Sequence, residues 1–230
     1  MTNQNKRLLL FDIDGTLIHS GGAGVQALKL TLAERFDIVD DLDDIEIAGM
    51  TDSGIVVSIL EKHRIPATNE NIAAFLDSYV HFLSLELPRR EGKLLPGVLE
   101  LLKKLKSRPH LVLALLTGNV SRGAQLKLDH YGVWHFFEFG AFADDHQDRN
   151  QLGPFAVARA REKHGGEFSA TEIDVIGDTP RDITCGKAFG ARTIAVATGT
   201  CSREQLAEHQ PDFLIDDLSD VDRVIDTLGW

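Results

Sequence analysis

The sequence predicts an α/β fold, with a doubly wound, Rossmann-like parallel sheet as its core and an all-helical cap inserted into it. The apolar run 8–11 ends abruptly in carboxylates and has no polar alternation, which is typical of a strand buried on both faces. A long helical stretch follows, and from Pro96 apolar strands alternate with helices in the βαβ pattern. A lone first strand cannot bury both faces against helices, so it joins the later sheet. We therefore predict a catalytic core of residues 1–20 and 92–230 and a cap of residues 21–91.

The composition favours a globular protein and excludes several classes of function. The chain has 230 residues, and its 43% hydrophobic content can supply a core. A formal net charge of −11 without a basic stripe argues against nucleic-acid binding. No apolar run approaches the ~18 residues of a membrane span, so we expect neither a membrane protein nor a secreted one. Cys185 and Cys201 lack metal-ligand spacing and indicate reduced thiols in a cytoplasmic protein.

The cap segment shows helical periodicity along most of its length. It opens with a glycine-rich turn, 20–24, that lacks the G-x-G-x-x-G spacing of a dinucleotide loop. Apolar residues then recur every three or four positions, and the acidic run 37–46 is typical of a solvated surface. The sequence predicts cap helices in the stretches 25–36, 55–60 and 72–83.

The remainder of the chain predicts the other elements of the core. A helix is expected through 98–105, another begins at Ser202 with Gln205 completing a capping box, and the last spans Val221–Leu228. The predicted later strands are Leu111–Leu116, 136–139, 173–176, 193–196 and Phe213–Ile215.

Two carboxylates, Asp12 and Asp14, stand at the end of the first strand. In open α/β sheets the carboxyl ends of the strands form the edge at which ligands bind. Carboxylates this close tolerate their repulsion at a buried site only beside a cation or with one of them protonated. The spacing therefore predicts a magnesium site next to a nucleophilic aspartate.

Two other strands end in side chains suited to phosphate and metal. Thr117, Gly118 and Asn119 follow one of them and offer a hydroxyl, an approachable backbone and an amide, although Thr117 or Asn119 could equally cap the next helix. Asp178 and Asp182 follow the strand 173–176. Asp178 alone could also be a helix cap, but with the first two aspartates it completes the oxygen-rich surroundings that Mg²⁺ requires.

The order of these motifs resembles the haloacid dehalogenase-like superfamily of phosphohydrolases. The matching segments are Phe11-Asp12-Ile13-Asp14-Gly15-Thr16-Leu17, Thr117-Gly118-Asn119 and Gly177-Asp178-Thr179-Pro180-Arg181-Asp182. Within it the chain is most similar to the phosphoglycolate phosphatase-like group, whose small helical cap follows the first motif. The resemblance implies that Asp12 attacks phosphorus and forms an aspartyl-phosphate. It also implies that Asp14 protonates the leaving oxygen and later activates water.

The resemblance also implies the binding groups. Mg²⁺ would be held by the Asp12 carboxylate, the Asp14 backbone carbonyl and Asp178, and Asp182 would orient the water shell of the metal. The phosphoryl group would be bound by Thr117 and by the backbone amides of Gly118 and Asn119.

The sequence departs from the family pattern at the expected lysine. No lysine lies between Lys127 and Lys163. Lys127 falls midway along the helix after Thr117, so we expect it to be solvated or to pair along that helix. Arg149 stands where the lysine is expected and could supply its charge with a bidentate grip on phosphate. The alternative is a surface arginine paired with Asp148.

The cap segment 49–52 offers weaker candidates. By resemblance, such a loop leans over the site and helps to select the leaving group, so Thr51 and Asp52 are candidate substrate-selecting residues. The alternative is a helix start capped by Thr51 or Asp52.

These observations predict a Mg²⁺-dependent phosphatase that hydrolyses a small phosphorylated metabolite as a monomer or homodimer. A phosphomutase of the β-phosphoglucomutase type would use the same acids. A non-catalytic phosphorylatable signalling module shares the acid cluster and the parallel sheet but needs no inserted cap. A true dehalogenase is disfavoured because it needs no magnesium, and Asp14, Asp178 and Asp182 would then have no role.

Overall fold

The computed structural model describes residues 6–230 and confirms the predicted fold class. Six parallel strands form one sheet in the order β5-β4-β1-β6-β7-β8, and a two-stranded antiparallel ribbon pairs β2 with β3. The sheet strands are β1 (Arg7–Phe11), β4 (Leu111–Leu116), β5 (Gly140–Ala141), β6 (Ile173–Gly177), β7 (Arg192–Val196) and β8 (Phe213–Ile215), and the ribbon strands are β2 (Ile18–His19) and β3 (Lys93–Leu94). The α-helices are α1 (Ala23–Phe36), α2 (Asp52–Lys62), α3 (Asn69–Glu86), α4 (Val98–Lys106), α5 (Ser121–His130), α6 (Leu152–His164), α7 (Pro180–Ala188), α8 (Arg203–Glu208) and α9 (Val221–Leu228). Within the described residues, every helix is too short or too polar to cross a membrane.

The first strand lies in the middle of the sheet because its side chains are apolar on both faces. Leu9 and Phe11 belong to one hydrophobic cluster and Leu8 and Leu10 to the cluster on the opposite face. β1 pairs with β4 on one side and with β6 on the other. The strand order changes direction at β1, so the loops after β1, β4 and β6 meet at the carboxyl edge, where α/β sheets bind ligands.

The cap helices have a hydrophobic cluster of their own. Phe75 and Tyr79 of α3 pack there with Leu32 of α1 and Ile59 of α2. The chain leaves the sheet and returns to it through the β2–β3 ribbon, in which Ile18 pairs with Leu94. The exact division at residues 20/21 and 91/92 stays a prediction.

One predicted strand is wrong. The stretch 136–139 is largely a short 3₁₀ helix, Trp134–Phe136, and an extended approach to the two-residue strand β5. Phe136 and Phe137 lie in the hydrophobic core on one face of the sheet, which accounts for the apolar run. The Phe137 ring packs edge-on against Phe11 with centroids 6.0 Å apart. Hydrophobicity without periodicity did not distinguish a core-filling turn from a buried strand. The other predicted strands and the capping box at Ser202 are confirmed.

A buried aspartate fixes the opposite end of the sheet. Asp174 is fully buried in β6, and its carboxylate accepts hydrogen bonds from Arg7 at 3.0 Å and from Arg192 at 2.7 Å. The indole Nε1 of Trp230 donates to the same carboxylate at 2.5 Å. Buried charge is tolerated only when it is compensated in this way, so the network ties the last residue to the middle of the sheet.

Candidate active site

The loop after β1 turns sharply to bring two aspartates and a threonine to the sheet edge. Gly15 has a left-handed φ of 83°, and a Cβ at this position would overlap the Asp178 carboxylate. Thr16 donates its hydroxyl hydrogen to that carboxylate at 3.0 Å, and Asp12 donates its backbone N–H to the Ile176 carbonyl at 2.9 Å. The turn therefore needs glycine to bring the β1 and β6 loops together.

Three carboxylates converge at this edge. Oxygen atoms of Asp12, Asp178 and Asp182 lie within 4.8 Å of one another, and all three side chains are buried. Burial raises the pKa of Asp12 to about 6 against the opposing charge of Arg149. Burial, with the neighbouring Asp182 and Asp12, raises the pKa of Asp178 well above its ordinary range. Oxygen donors crowded in this way fit a divalent cation, whose charge would remove their repulsion.

Arg149 lies inside the site. It begins a 3₁₀ turn, Arg149–Gln151, and its side chain is 7% exposed. The guanidinium donates to Asp12 Oδ1 at 2.8 Å, to Asp182 and to the Gly49 carbonyl at 2.9 Å. Nε is buried without a partner in the described part of the chain. The alternative of a surface arginine paired with Asp148 is wrong, because the Asp148 carboxylate instead accepts the N–H of Asn150.

Lys127 also belongs to the site, and the expectation that it is solvated or pairs along its helix is wrong. The residue is 4% exposed, and its ammonium donates to Asp14 Oδ2 at 2.5 Å and to Asn119 Oδ1 at 2.5 Å. Helical side chains point toward the N-terminus, so a long lysine on α5 reaches back to the strand ends. A usable signal was its place between Ala124 and Leu128 on the apolar face of that helix.

The pair that Lys127 forms with Asp14 stays charged. Desolvation disfavours ionisation of Asp14, but the Lys127 ammonium and the hydrogen bonds from Lys127 and Asn119 outweigh it and lower the pKa of the carboxyl. Burial likewise disfavours the ammonium, but the carboxylates of Asp14 and Asp52 raise the pKa of Lys127. Both bonds to Asp14 go to Oδ2, and the side chain remains 39% exposed.

The loop after β4 holds the predicted phosphate ligands. The Asn119 amide donates to Asp14 Oδ2 at 3.0 Å and to Thr117 Oγ1 at 2.9 Å, while Thr117 is fully buried behind it. A Cβ on Gly118 would overlap the Met50 carbonyl, so glycine admits the cap loop here. The alternative in which Thr117 or Asn119 caps α5 is wrong, because the residue before the helix is Val120.

Two carboxylates from elsewhere provide that cap. Asp52 Oδ2 accepts the Val120 N–H at 2.8 Å, and Asp144 accepts the Ser121 N–H at 2.5 Å. The helix that follows the phosphate loop is thus capped by an aspartate of the cap segment. Burial raises the pKa of Asp52 to about 6, against the opposing charge of Lys127.

The segment 49–52 starts a helix, as one alternative predicted, and also lies over the site, while the selection of the leaving group by Thr51 and Asp52 stays a prediction. Thr51 accepts the Gly54 N–H at 3.1 Å as the N-cap of α2 and donates to the Gln147 carbonyl at 2.6 Å. Asp52 donates its N–H to the Gly118 carbonyl at 2.6 Å. The alternative in which Asp178 caps a helix is wrong, because Thr179 is the N-cap of α7 and forms a capping box with Asp182.

A cavity of about 400 Å³ joins these groups beneath the cap. Its walls include Asp12, Asp14, Asn119, Lys127, Arg149, Asp178 and Asp52, together with apolar residues of α1 and α2. The structure thus brings most of the predicted side chains to one cleft and adds Lys127, whereas Thr117, Asp182 and Thr51 do not line it. Carboxylates, two cationic side chains and oxygen atoms suited to a divalent metal in one cleft are the groups that displacement at phosphorus requires.

Comparison with known proteins gives a consistent family. The sequence profile described as haloacid dehalogenase-like hydrolase matches residues 9–196. The probable phosphatase IndB of Dickeya dadantii is 28% identical over 221 residues, covering 94% of this chain and 92% of IndB. A phosphoglycolate phosphatase of Vibrio vulnificus is 27% identical and covers 95% and 96%. These relatives confirm the resemblance to the phosphoglycolate phosphatase-like group.

Solved structures agree on the fold. CbbY from Rhodobacter sphaeroides, solved in complex with phosphate, superposes with a TM-score of 0.76 at 18% identity and covers 94% of this chain and 96% of its own. A hydrolase from Pseudomonas syringae gives 0.74 at 20% identity, covering 96% and 99%.

Proposed function

The chain belongs to the haloacid dehalogenase-like hydrolase family and is a phosphatase of it, and from that premise we propose a specific reaction. The enzyme hydrolyses small-molecule phosphomonoesters with Mg²⁺, through an aspartyl-phosphate on Asp12. The single observation that carries this proposal is the convergence of Asp12, Arg149 and Asp14 with Lys127 in one cleft.

Asp12 is the nucleophile in this proposal. Its Oδ1 accepts a hydrogen bond from Arg149, which fixes the carboxylate and provides positive charge where phosphate oxygens gather. A carboxylate oxygen attacks phosphorus and the bond from phosphorus to the leaving oxygen breaks. The resulting acyl phosphate replaces one difficult displacement by two easier ones.

Asp14 moves the proton. Lys127 keeps it ionised in the free enzyme, and an anionic phosphate ester bound beside it raises its pKa so that it takes up a proton. It gives that proton to the leaving oxygen and then accepts one from the water that attacks the aspartyl-phosphate. The bond from phosphorus to Asp12 breaks, and inorganic phosphate is released.

The residues at the sheet edge fit a divalent metal. Their carboxylates are buried close together, and this crowding raises the pKa values of Asp12 and Asp178, so a cation between them would favour their charged forms. Asp12, the Asp14 backbone carbonyl and Asp178 would hold Mg²⁺, and Asp182 would orient its waters and Arg149. When bound, the metal supplies positive charge that offsets the approach of one anion to another. Phosphate oxygens would also bind the backbone amides after Thr117 and the amide of Asn119.

A panel of phosphate esters tests the proposal, with released phosphate measured in Mg²⁺ and in EDTA. We expect turnover in Mg²⁺, its loss in EDTA and recovery when Mg²⁺ is added back. Asp12→Asn keeps the shape of the site but loses the nucleophile, so its turnover should vanish. Turnover by Asp12→Asn, or full turnover in EDTA, would contradict the proposal.

A further inference from the structure

The cavity extends past the proposed phosphate-binding residues into a region under the cap where the leaving group would lie. We infer that this leaving-group region binds an uncharged, hydroxyl-bearing alcohol and discriminates against a second anionic group such as a carboxylate. The inference rests on the proposed function and adds the class of ester to it. Three observations support it: the pairing of the cations, the apolar wall and a tyrosine hydroxyl that faces the cavity without a hydrogen bond to the described residues.

Each Lys or Arg among the described residues that line the cavity is already paired. Lys127 is held by Asp14 and Asn119, and Arg149 by Asp12 and Asp182. In each case the positive charge already faces a carboxylate, and the proposed reaction uses Arg149 for the phosphate, so the leaving-group region has no further Lys or Arg for a substrate carboxylate. Recognition of a carboxylate normally uses a charge-assisted pair with arginine or lysine.

Two carboxyl groups line the same region. They belong to Asp14 and Asp52, so a second anion would approach both of them. His19 also lines it, and its Nδ1 accepts the Gly21 N–H at 3.2 Å, so this ring nitrogen already has a partner. Like charges at short range disfavour binding, so these carboxyl groups disfavour a second anionic group on the ester.

The cap contributes an apolar wall. Val25 and Leu28 project from α1, Ile55 from α2 and Ile47 from the loop before it. Such a surface gains by covering carbon and loses by stripping water from a charge. It suits the carbon skeleton of an alcohol.

The tyrosine hydroxyl provides the polar contact. Tyr79 lies on α3, is 2% exposed and lines the cavity, and its hydroxyl has no hydrogen-bond partner among residues 6–230. Burial raises the pKa of this phenol, so it stays a neutral donor and acceptor. A cavity-lining hydroxyl that makes no hydrogen bond within the described residues can donate to or accept from a substrate hydroxyl.

The cavity volume sets the size. At roughly 30 Å³ for each liquid water, the cavity of about 400 Å³ corresponds to about thirteen waters. That space accommodates a phosphate group with a short polyol or a single sugar ring.

Two matched pairs of esters test the charge preference. 2-Hydroxyethyl phosphate is compared with 2-phosphoglycolate, and glycerol 3-phosphate with 3-phosphoglycerate, because each pair differs by a CH₂OH group against a carboxylate. We expect kcat/KM to be about tenfold or more higher for the uncharged member of each pair. Where turnover is slow, Ki for inhibition of p-nitrophenyl phosphate hydrolysis gives the same ratio. Equal values, or a preference for the carboxylates, would overturn the inference.

Variants test the residues. Tyr79→Phe should raise KM several-fold for 2-hydroxyethyl phosphate and leave KM for ethyl phosphate unchanged, because only the first ester has a hydroxyl to lose. Tyr131→Phe alters the other tyrosine of the chain, which lies outside the cavity lining, and should change neither KM. Equal changes for both esters in Tyr79→Phe would remove that hydroxyl from recognition.

A gain-of-function variant tests the missing cation directly. Val25→Lys adds an ammonium to the wall, and we expect the ratio of kcat/KM to shift at least fivefold toward 2-phosphoglycolate. An unchanged ratio in a variant with the wild-type circular dichroism spectrum would contradict the role of charge. Failure of the proposed function would look different. In that case the wild-type protein would release phosphate from none of the esters, including p-nitrophenyl phosphate.

Discussion

Asp52 is the sharpest test of the electrostatics, because it is a buried carboxyl that caps a helix and its charge can be removed without changing its shape. Asp52→Asn keeps a side-chain oxygen that can accept the Val120 N–H. In the wild type, Asp52 Oδ2 accepts this hydrogen bond at 2.8 Å. It removes the negative charge from a position that is only 7% exposed. We expect this variant to be more stable than the wild type at neutral pH and equally stable at low pH.

The magnitude follows from the pKa. Burial raises the pKa of Asp52 from 3.8 to about 6. Below pH 3.8 the carboxyl is protonated in the folded and unfolded states, and its charge has no effect. Above pH 6 it is ionised in both, so the folded state carries the full cost of about 3 kcal/mol, at about 1.4 kcal/mol per pH unit. The wild type should therefore lose stability relative to Asp52→Asn as the pH rises from about 4 to 6.

Thermal unfolding in EDTA at pH 4 and pH 7.5 measures the difference. For a chain of this length, about 3 kcal/mol corresponds to a rise in Tm of roughly 6–12 °C at the higher pH. Asp144→Asn is the matched control, because Asp144 caps the adjacent N–H of the same helix from an exposed position. It should show no such gain. A difference between Asp52→Asn and wild type that is the same at both pH values would refute the reasoning.

Three further variants test the site and the fold. Arg149→Ala should lower turnover by about two orders of magnitude or more, since it removes a charged donor next to the nucleophile, whereas Arg159→Ala, far from the cleft, should not; near-normal turnover would remove Arg149 from the site. Lys127→Met should raise the pKa of Asp14, read by NMR titration of ¹³C-labelled aspartate, and an unchanged titration would contradict the ion pair. Trp230→Phe should cost about 1–3 kcal/mol in urea unfolding, because Asp174 loses a buried donor; no loss would show that Arg7 and Arg192 suffice.

The fold followed from the sequence because its strongest signals are local. The apolar run ending in Asp12 and the alternation after Pro96 are periodic patterns that tertiary contacts reinforced. The prediction of a strand at 136–139 was wrong because Phe136 and Phe137 are buried by packing against other elements, in the same cluster as Phe11 of β1, and not by pairing as a strand. A short hydrophobic run indicates that its residues are buried but does not indicate their secondary structure.

The site was predictable where function is tied to strand ends and less so where long side chains reach in from elsewhere. Asp12 and Asp178 follow the ends of neighbouring strands, so topology alone brings them together, and Asp14 lies two residues after Asp12 in the same loop. Lys127 reaches the same edge from the middle of a helix, and its direction depends on which face that helix buries. The sequence also gave no sign that Asp52, far along the chain, would cap the helix after the phosphate loop.

The capping of α5 by the cap segment has a kinetic consequence. Four hydrogen bonds tie residues 49–52 to the core, through the partners Arg149, Gln147, Gly118 and Val120. At about 1 kcal/mol each, these bonds oppose movement of the segment away from the sheet. A movement that breaks them also takes away the carboxylate that caps α5, so the helix after the phosphate loop loses part of its cap each time the segment leaves. Weakening these four bonds would make such movements, which for lids fall on the microsecond-to-millisecond scale, more frequent without altering any of the aspartates at the strand ends.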